Sequence, residues 1–284
     1  MPTSTYSKKS LKVIITLKKG GANNQYVFEN CAIHARIEKT GGSEFAKASV
    51  DIFGLTIETM GKLTTLSFNP FKNDWNYIEI LAGEQGTTLQ SVFKGEITLA
   101  YADLNNGKVL KIQAHTGAYP VLMPDPPRSV VGEQSASSLI ESLAKQSNFS
   151  FSNEGVTAVV NDMTFSGDPV TKMRSIANQV GAELLIDDDT VVLLPPGGAR
   201  KPLGGIPVVS VDTGMIGYPT FTNTGLNVST FFRPDLRLAA MVRVESIIPG
   251  ATGNWRIVRL SHDLSVNNPG GAAWRTDFEA MFNY

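Results

Sequence analysis

Within WRIVRLSHDLSVNNPGGAAWRTDFEAMF, residues 255 to 282, the residue types of a general base and its orienting acids lie close together: His262, Asp263 and Asp277. An imidazole beside a carboxylate could take a proton from a hydroxyl or a water. Spacing argues against that chemistry. In an extended chain, Val258, Leu260, His262, Leu264 and Val266 share one side, while Arg259, Ser261, Asp263 and Ser265 take the other. His262 and Asp263 then point apart and cannot pair without a bulge. After the loop Asn267 to Gly271, Trp274, Thr276, Phe278, Ala280 and Phe282 alternate with Arg275, Asp277 and Glu279, which completes a hairpin.

Other chemistry is sparse. His34 and His115 fall on polar strand faces, where solvated imidazoles are expected, and His262 is expected to be a core histidine hydrogen-bonded to backbone. Asp187, Asp188 and Asp189 are the oxygen ligands calcium takes. They lie between ELLI and TVVLL without the Gly and distal Glu of an EF-hand, and so read as a turn. The chain has no HExxH, paired CxxC, GxSxG or GxxxxGK[ST]. A glycosidase needs only two placed carboxylates, so 26 acidic residues leave one formally open. The single cysteine, Cys31, excludes an intrachain disulfide and shares parity with Ile33, Ala35 and Ile37, as a small buried hydrophobe would. No catalytic residue, cofactor or metal is expected.

With 284 residues, 42% of them hydrophobic and 18% charged, the chain can fold into two or three domains. A net charge of -1 gives no overall field for gripping phosphate backbones. The apolar part of LKVIITLKKGG is shorter than a signal-peptide core or a spanning helix of ~20 residues, so synthesis without a cleaved signal peptide and no membrane contact are expected.

Two proline clusters divide the sequence, YPVLMPDPPRS and PPGGARKPLGGIP. The expected domains are an N-terminal β-barrel at 1–119, a linker at 120–132, a small α+β domain at 133–194, a linker at 195–207 and a C-terminal β-barrel at 208–284. In the first, Leu11, Val13, Ile15 and Leu17 alternate with polar residues, as do Ala48, Val50 and Ile52, then Ile78, Ile80 and Ala82, then Leu110, Ile112 and Ala114. Leu89, Phe93, Ile97, Leu99 and Tyr101 are placed on one side of another strand. GLTIETMGKLTTL loses the alternation, and Leu55, Ile57, Met60 and Leu63 suit a short docked helix. In the middle, Ser138 and Glu141 stand in capping-box relation for a helix burying Leu139, Ile140, Leu143 and Ala144. Asp168 and Pro169 open a second helix whose Val170, Met173, Ile176, Ala177 and Val180 repeat at helical spacing before Gly181. Strands near 148–151, 156–165, 183–187 and 190–194 complete that unit. In the last domain Leu226, Val228, Thr230 and Phe232 share a side, as do Leu238, Ala240, Val242 and Val244. The fold class expected is mainly β, two barrel domains flanking a helix/strand module.

A strand of 12 residues spans ~40 Å, about twice the usual length. Long strands leave rows of unpaired backbone groups at sheet edges. Pairing the terminal ribbons with sister copies around a closed ring would remove that hazard.

The runs ASVDIFGLTIETMGKLTTLSF, YIEILAGEQGTTLQSVFKGEITLAYAD and GNWRIVRLSHDLSVNNPGGAAWRTDFEA, with Gly54 and Leu55, Phe93-Lys94-Gly95 and His262 answered by Trp274, Thr276 and Phe278, carry a resemblance across nearly the whole chain. They resemble the baseplate hub proteins of contractile-tailed bacteriophages. The resemblance implies two tail-tube-like β-barrels per chain and a homotrimer whose pseudo-six-fold ring joins a hexameric tail tube to a trimeric central spike. It implies the virion tail baseplate as location and synthesis in the host cytoplasm. Implied partners are the tail tube protein, the central spike protein, other baseplate proteins and the tape measure protein, with genomic DNA only in transit through the lumen. Trp255, Leu260, Leu264, Trp274, Phe278 and Phe282 are then candidates for core or ring support. No spike-like β-helix repeat or inserted lysozyme domain is evident, which assigns puncture and wall digestion to partners. The alternatives are a tail-tip cell-wall hydrolase or peptidase, which sustained peptidoglycan turnover would reveal, and a carbohydrate-binding module acting through residues 133 to 194. A hub of a non-phage contractile injection machine also fits.

Overall fold

The computed structural model describes residues 8–19, 22–42, 44–64, 75–105, 107–122, 125–202, 204–268 and 273–282. Pro124 of the first proline cluster, residues 65–68 of the first quoted run and the Pro-Gly-Gly turn at 269–271 lie outside them. The N-terminal region contains β1 (Lys9–Lys19), β2 (Ala22–Phe28), β3 (Ile33–Thr40), β4 (Lys47–Phe53), α1 (Ile57–Leu63), β5 (Tyr77–Glu84), β6 (Gln90–Asp103), β7 (Val109–His115) and α2 (Ala118–Leu122). A module follows, with β8 (Arg128–Ser135), α3 (Ala136–Gln146), β9 (Ser150–Asn153), β10 (Val159–Phe165), α4 (Pro169–Gln179), β11 (Glu183–Asp187) and β12 (Thr190–Leu194). The C-terminal region has β13 (Val208–Val209), β14 (Met215–Phe221), β15 (Gly225–Phe231), β16 (Met241–Val244), β17 (Gly253–Val266) and β18 (Trp274–Phe282).

The fold is mostly β, as the alternating patterns require. Among the described residues, however, no closed barrel is found in either terminal region. The terminal regions share one 13-stranded sheet in the order β14-β15-β18-β17-β3-β4-β7-β6-β5-β1-β2, with β16 and β13 branching from β17. The cause is the length of β17: its first residues pair with β16, and Arg259–Val266 pair with β3. The terminal hairpin thus finds its neighbours within its own chain, because β18 also lies between β17 and β15. The sheet curls without closing, so that Leu264 and Val266 of β17 share a core with Leu11, Val13 and Ile15 of β1. A second core packs Trp255, Ile257, Leu260 and Phe278 with Leu226, Val228 and Val242.

The sheet contains an internal repeat. In chain order, β3-β4-β5-β6-β7 matches β14-β15-β16-β17-β18; in space, β3-β4-β7-β6 with β5 on β6 matches β14-β15-β18-β17 with β16 on β17. β6 and β17 are each 14 residues long. Both ladders carry a bulge at the corresponding place, between Ile97 and Leu99 and between Ile257 and Arg259. An extra residue reverses which side chains face inward. The sequence pattern puts Leu99 and Tyr101 beside Phe93 and Ile97; past the bulge at Thr98, Ala100 turns inward instead, and Leu99 and Tyr101 are 37% and 40% exposed. At Val258 the buried set likewise changes from Trp255 and Ile257 to Leu260, His262 and Leu264, leaving Val258 itself only half-buried.

In the module, α3 and α4 pack together over a core of Ile140, Leu143, Ala144, Val170, Met173 and Ile176. The cap of α3 is Ser135 rather than Ser138, for Ser135 Oγ accepts the Ser138 N–H, placing Ser138 inside the helix and Leu139 at its half-buried margin. The cap of α4 is Asp168 as the sequence indicates, accepting from the Thr171 N–H at 2.9 Å. β10 begins at Val159 rather than near 156, because Asn153 Oδ1 holds the Val156 N–H in a turn. Lys172, fully buried on α4, fixes the first proline cluster by pairing with Asp125 Oδ2 at 2.5 Å and donating to the Pro126 carbonyl at 2.5 Å.

Candidate assembly surface and its charged seam

Among the described residues, one face of the sheet's middle strands, from β14 to β7, carries no packed layer. Read across strands, one row runs Ile216, Ser229, Asp277, Ser261, Glu38, Lys47, His115, and another runs Phe231, Arg275, Asp263, Arg36, Ser49, Gln113, Leu99. Opposite charges meet along it: Arg275 Nε lies 3.2 Å from Asp277 Oδ2 and Arg36 Nε 3.1 Å from Glu38 Oε1, while His34 Nε2 hydrogen-bonds Asp263 Oδ1 at 2.8 Å. Ser229 donates to Asp277 at 2.6 Å. Exposed pairs of this kind add little stability, yet they cancel charge locally and leave a hydrated face with weak pull on a polyanion. Asp263 and Asp277 belong here, on the side opposite His262.

His34 is thus hydrogen-bonded to Asp263 rather than merely solvated, and His115 is half-buried beside Thr98 Oγ1 at 3.2 Å. Cys31 is partly buried against the first core, and burial pushes its thiol pKa up. His262 is 3% exposed; its Nδ1 meets Thr276 Oγ1 at 2.9 Å, so a cross-strand hydroxyl takes the place of the expected backbone partner. Phe232 packs edge-on at 5.5 Å. Burial, then the Lys39 cation, pulls the His262 pKa down to about 3.

A neutral native imidazole gives a pH signature. An unfolded His takes up a proton below about 6.5, whereas the folded His262 does not until about pH 3. Stability should therefore fall with acidification through that window, by up to ~1.4 kcal/mol per pH unit from this group. Denaturant titrations at pH 7, 6 and 5 measure it, and His262→Gln should remove about one proton from the slope. Identical slopes in the two proteins would refute the assignment.

The lysine beside His262 is the feature that sequence reasoning missed. Lys39 continues the inward parity of Ile33, Ala35 and Ile37 and is 6% exposed. Its Nζ lies 2.8 Å from Asp187 Oδ1 and 2.8 Å from Asp188 Oδ2, on the turn between β11 and β12. Arg200 Nη1 reaches Asp187 Oδ2 at 2.5 Å, the Lys94 N–H donates to Asp188 Oδ1 at 3.1 Å, and Lys94 Nζ lies 3.1 Å from Asp189 Oδ2. Burial opposes ionisation of Asp187, but Lys39 and Arg200 outweigh it and hold the carboxyl below the usual carboxylate range. The three aspartates form the expected turn, with Asp188 at φ 54°, and that turn is the dock between module and sheet. Arg256 and Glu183, 2.6 Å apart, make a second clasp. Among the described residues, no group of three or more His, Cys, Asp or Glu could hold a metal ion. No helix among them is long and apolar enough to cross a membrane.

The six candidate support residues divide between environments. Trp255, Leu260 and Phe278 are buried in the C-terminal core and Leu264 in the N-terminal one. Trp255 donates its indole N–H to the Ala251 carbonyl at 3.0 Å. Trp274 is half-buried between Phe232, at 5.2 Å, and Lys9, at 5.7 Å. Phe282 is 52% exposed, its ring edge-on to Trp255 at 5.4 Å.

The fold as a whole, an internally duplicated sheet carrying a small helix/strand module, is similar to those of solved tail proteins. The tail protein of Neisseria meningitidis MC58 superposes with a TM-score of 0.62 at 12% identity, over 95% of this chain and 97% of that one. The 43 kDa tail protein of prophage MuSo2 from Shewanella oneidensis gives 0.61 at 10% identity, over 94% and 96%. The E. coli c3393 protein, a type VI secretion component with structural similarity to T4 bacteriophage tail proteins gp27 and gp5, gives 0.60 at 9% identity, over 89% and 73%. No curated protein matches the sequence. The family model of the baseplate hub gp41 matches residues 10–269, and the chain belongs to that family. It is a phage baseplate hub protein, and the tail baseplate of the virion is its place.

Proposed function

We propose that this chain is a non-enzymatic hub that assembles as a trimer, its pseudo-six-fold ring adapting the hexameric tail tube to the trimeric central spike. The internal repeat carries this reading: each chain brings two like units, so three chains bring six to the tube while the true symmetry stays three-fold for the spike. The junction of β17 with β3 supplies a ladder by which one unit continues into the next. The charge-paired face is suited to line the lumen, where DNA in transit needs a wet wall with little affinity for phosphate. The module, clamped through Lys39 and Arg256, braces the ring from outside. Trp255, Leu260, Leu264 and Phe278 support it as core, with Trp274 and Phe282 at the margins of the two halves. The tail tube protein, spike protein, other baseplate proteins and tape measure protein are the partners in this scheme. Imaging of tails at a resolution that separates subunits tests it: three hub copies between tube and spike are expected, and any other number would defeat the proposal.

A further inference from the structure

Among the described residues, the buried ionisable groups are paired or neutral, with one exception. Lys39 and Arg200 enclose Asp187, Lys172 holds Asp125, and His262 stays uncharged. Glu96, on β6, is 7% exposed and has no cation bonded to it. Its Oε2 accepts the Ala118 N–H at 3.1 Å, and its other bonds come from backbone at Gly117 and at Glu96 itself. This carboxyl sits where the chain leaves the sheet for the module. Ala118 opens α2, which touches both β6 and α4. At the far end of the same stem, Lys172 of α4 grips Asp125 and the Pro126 carbonyl. At the near end Thr116, 1% exposed, donates its N–H to the Ala46 carbonyl at 2.9 Å and its hydroxyl to the Lys94 carbonyl at 2.9 Å. Gly117, at φ 75°, lies so close to Phe45 that a side chain there would meet the ring at 3.0 Å. Of these near-end contacts, the one to Glu96 can change with a proton.

We infer that Glu96 is a proton-sensitive latch on this stem: protonated, it lets the stem stay seated on the sheet, and ionised, it favours opening. The cause is burial without compensation. A carboxylate taken from water and given no cation is costly, whereas the neutral acid is not, and peeling residues 117–122 away returns the group to water. The neighbours do not relieve it. Glu96 shares a cleft of about 290 Å³ with Tyr77 and Glu79 of β5, Lys94 of its own strand, Tyr119 of α2, and Asp188 and Asp189 of the module. The cations around that cleft are engaged elsewhere. Lys94 lies 3.1 Å from Asp189 and 3.6 Å from Glu79, Lys39 is bonded to Asp187 and Asp188, and Lys18 of β1 lies over the Tyr77 ring at 4.7 Å. His115 stands opposite on β7, where burial and then Lys47 lower its pKa, so it brings no charge at neutral pH.

Burial accordingly pushes the Glu96 carboxyl up to about 6, against the backbone N–H groups that favour the anion. Burial and then the Glu96 charge raise the Tyr77 hydroxyl beside it to about 12. Because the seated carboxyl has the higher pKa, its contribution is full below 4.5, its value in water, and is lost as pH rises through about 6. The sign is opposite to that of His262, whose protonation weakens the whole fold in acid. A stem that tightens in acid therefore does not owe it to global stability.

Hydrogen exchange of the full chain, read as protection factors at pH 5, 6, 7 and 8, tests the latch. Amides of residues 117–122 should gain protection by about eightfold from pH 8 to pH 5, out of the roughly 30-fold that a pKa of about 6 against 4.5 sets for the whole titration. Glu96→Gln keeps the shape without the charge, so its protection should stay flat over this range, at or above the wild-type level at pH 5. Wild-type protection that is unchanged or lower at pH 5, or a Glu96→Gln protein that keeps the wild-type slope, overturns the inference. Should Glu96→Gln not fold, wild type decides with α3 of the module and β4 of the sheet as references. A gain in acid confined to 117–122 supports the latch, and a gain shared equally by all three segments overturns it.

Discussion

Phe278→Asp should yield no soluble, cooperatively folded protein. Phe278 is 3% exposed and stands opposite Leu260 on one side and Val228 on the other, at the centre of the C-terminal core. Deleting a buried aromatic ring costs ~3–5 kcal/mol, and a carboxylate left without a counter-ion in its place adds several more. A domain holds together by roughly 5–15 kcal/mol, so the sum removes most or all of the margin. Because β18 lies between β17 and β15, the loss spreads to β17, the strand that joins the second repeat to the first. Soluble yield and near-ultraviolet circular dichroism measure the effect, with Phe278→Leu as the volume-conserving control expected to fold. A folded Asp variant melting like wild type would show that this position is not the core contact its burial indicates.

Lys39→Ala should cost about 3–5 kcal/mol, the usual result of breaking one side of a buried ion pair. Asp187, which is buried, keeps Arg200, but half-buried Asp188 is left, among the described residues, with only the Lys94 N–H. The change should show in two places. Denaturant midpoints should fall, and proteases should cut the proline-rich segments at 120–132 and 195–207 sooner as the module loosens. His262 should also become easier to protonate, since the Lys39 cation is one cause of its low pKa. Replacing Lys39, Asp187, Asp188 and Arg200 together by apolar residues of similar volume should recover much of the loss, because exchanging a whole buried ionic group for packing is often neutral. A Lys39→Ala protein with unchanged midpoint and unchanged cleavage would show that the cluster is not the dock.

Local patterns in this chain were legible wherever a strand keeps one parity. The faces of β3, β4 and β7 and the cap and stripe of α4 follow directly from the sequence, since each depends on residues a few positions apart. Errors gather where one residue breaks the count. The bulges at Thr98 and Val258 turn every later side chain over, and no pattern of residue types marks either one. The shared sheet was hidden for a different reason: β3 and β17 lie more than 200 residues apart, and strand pairing over that distance leaves no local trace. Lys39 did leave one. A lysine in phase with three buried aliphatic residues announces a buried partner, and an acidic turn was already in view at 187 to 189.

The pairing of β3 with β17 also sets a schedule for the growing polypeptide. At 5–20 residues per second, roughly 10–40 s separate the synthesis of β3 from that of the strand that will cover it. During that interval the nascent first repeat shows a bare flank to every other ribosome product. Arg36, Glu38 and Lys39 sit on that flank, three charges that discourage stray partners until the proper one arrives.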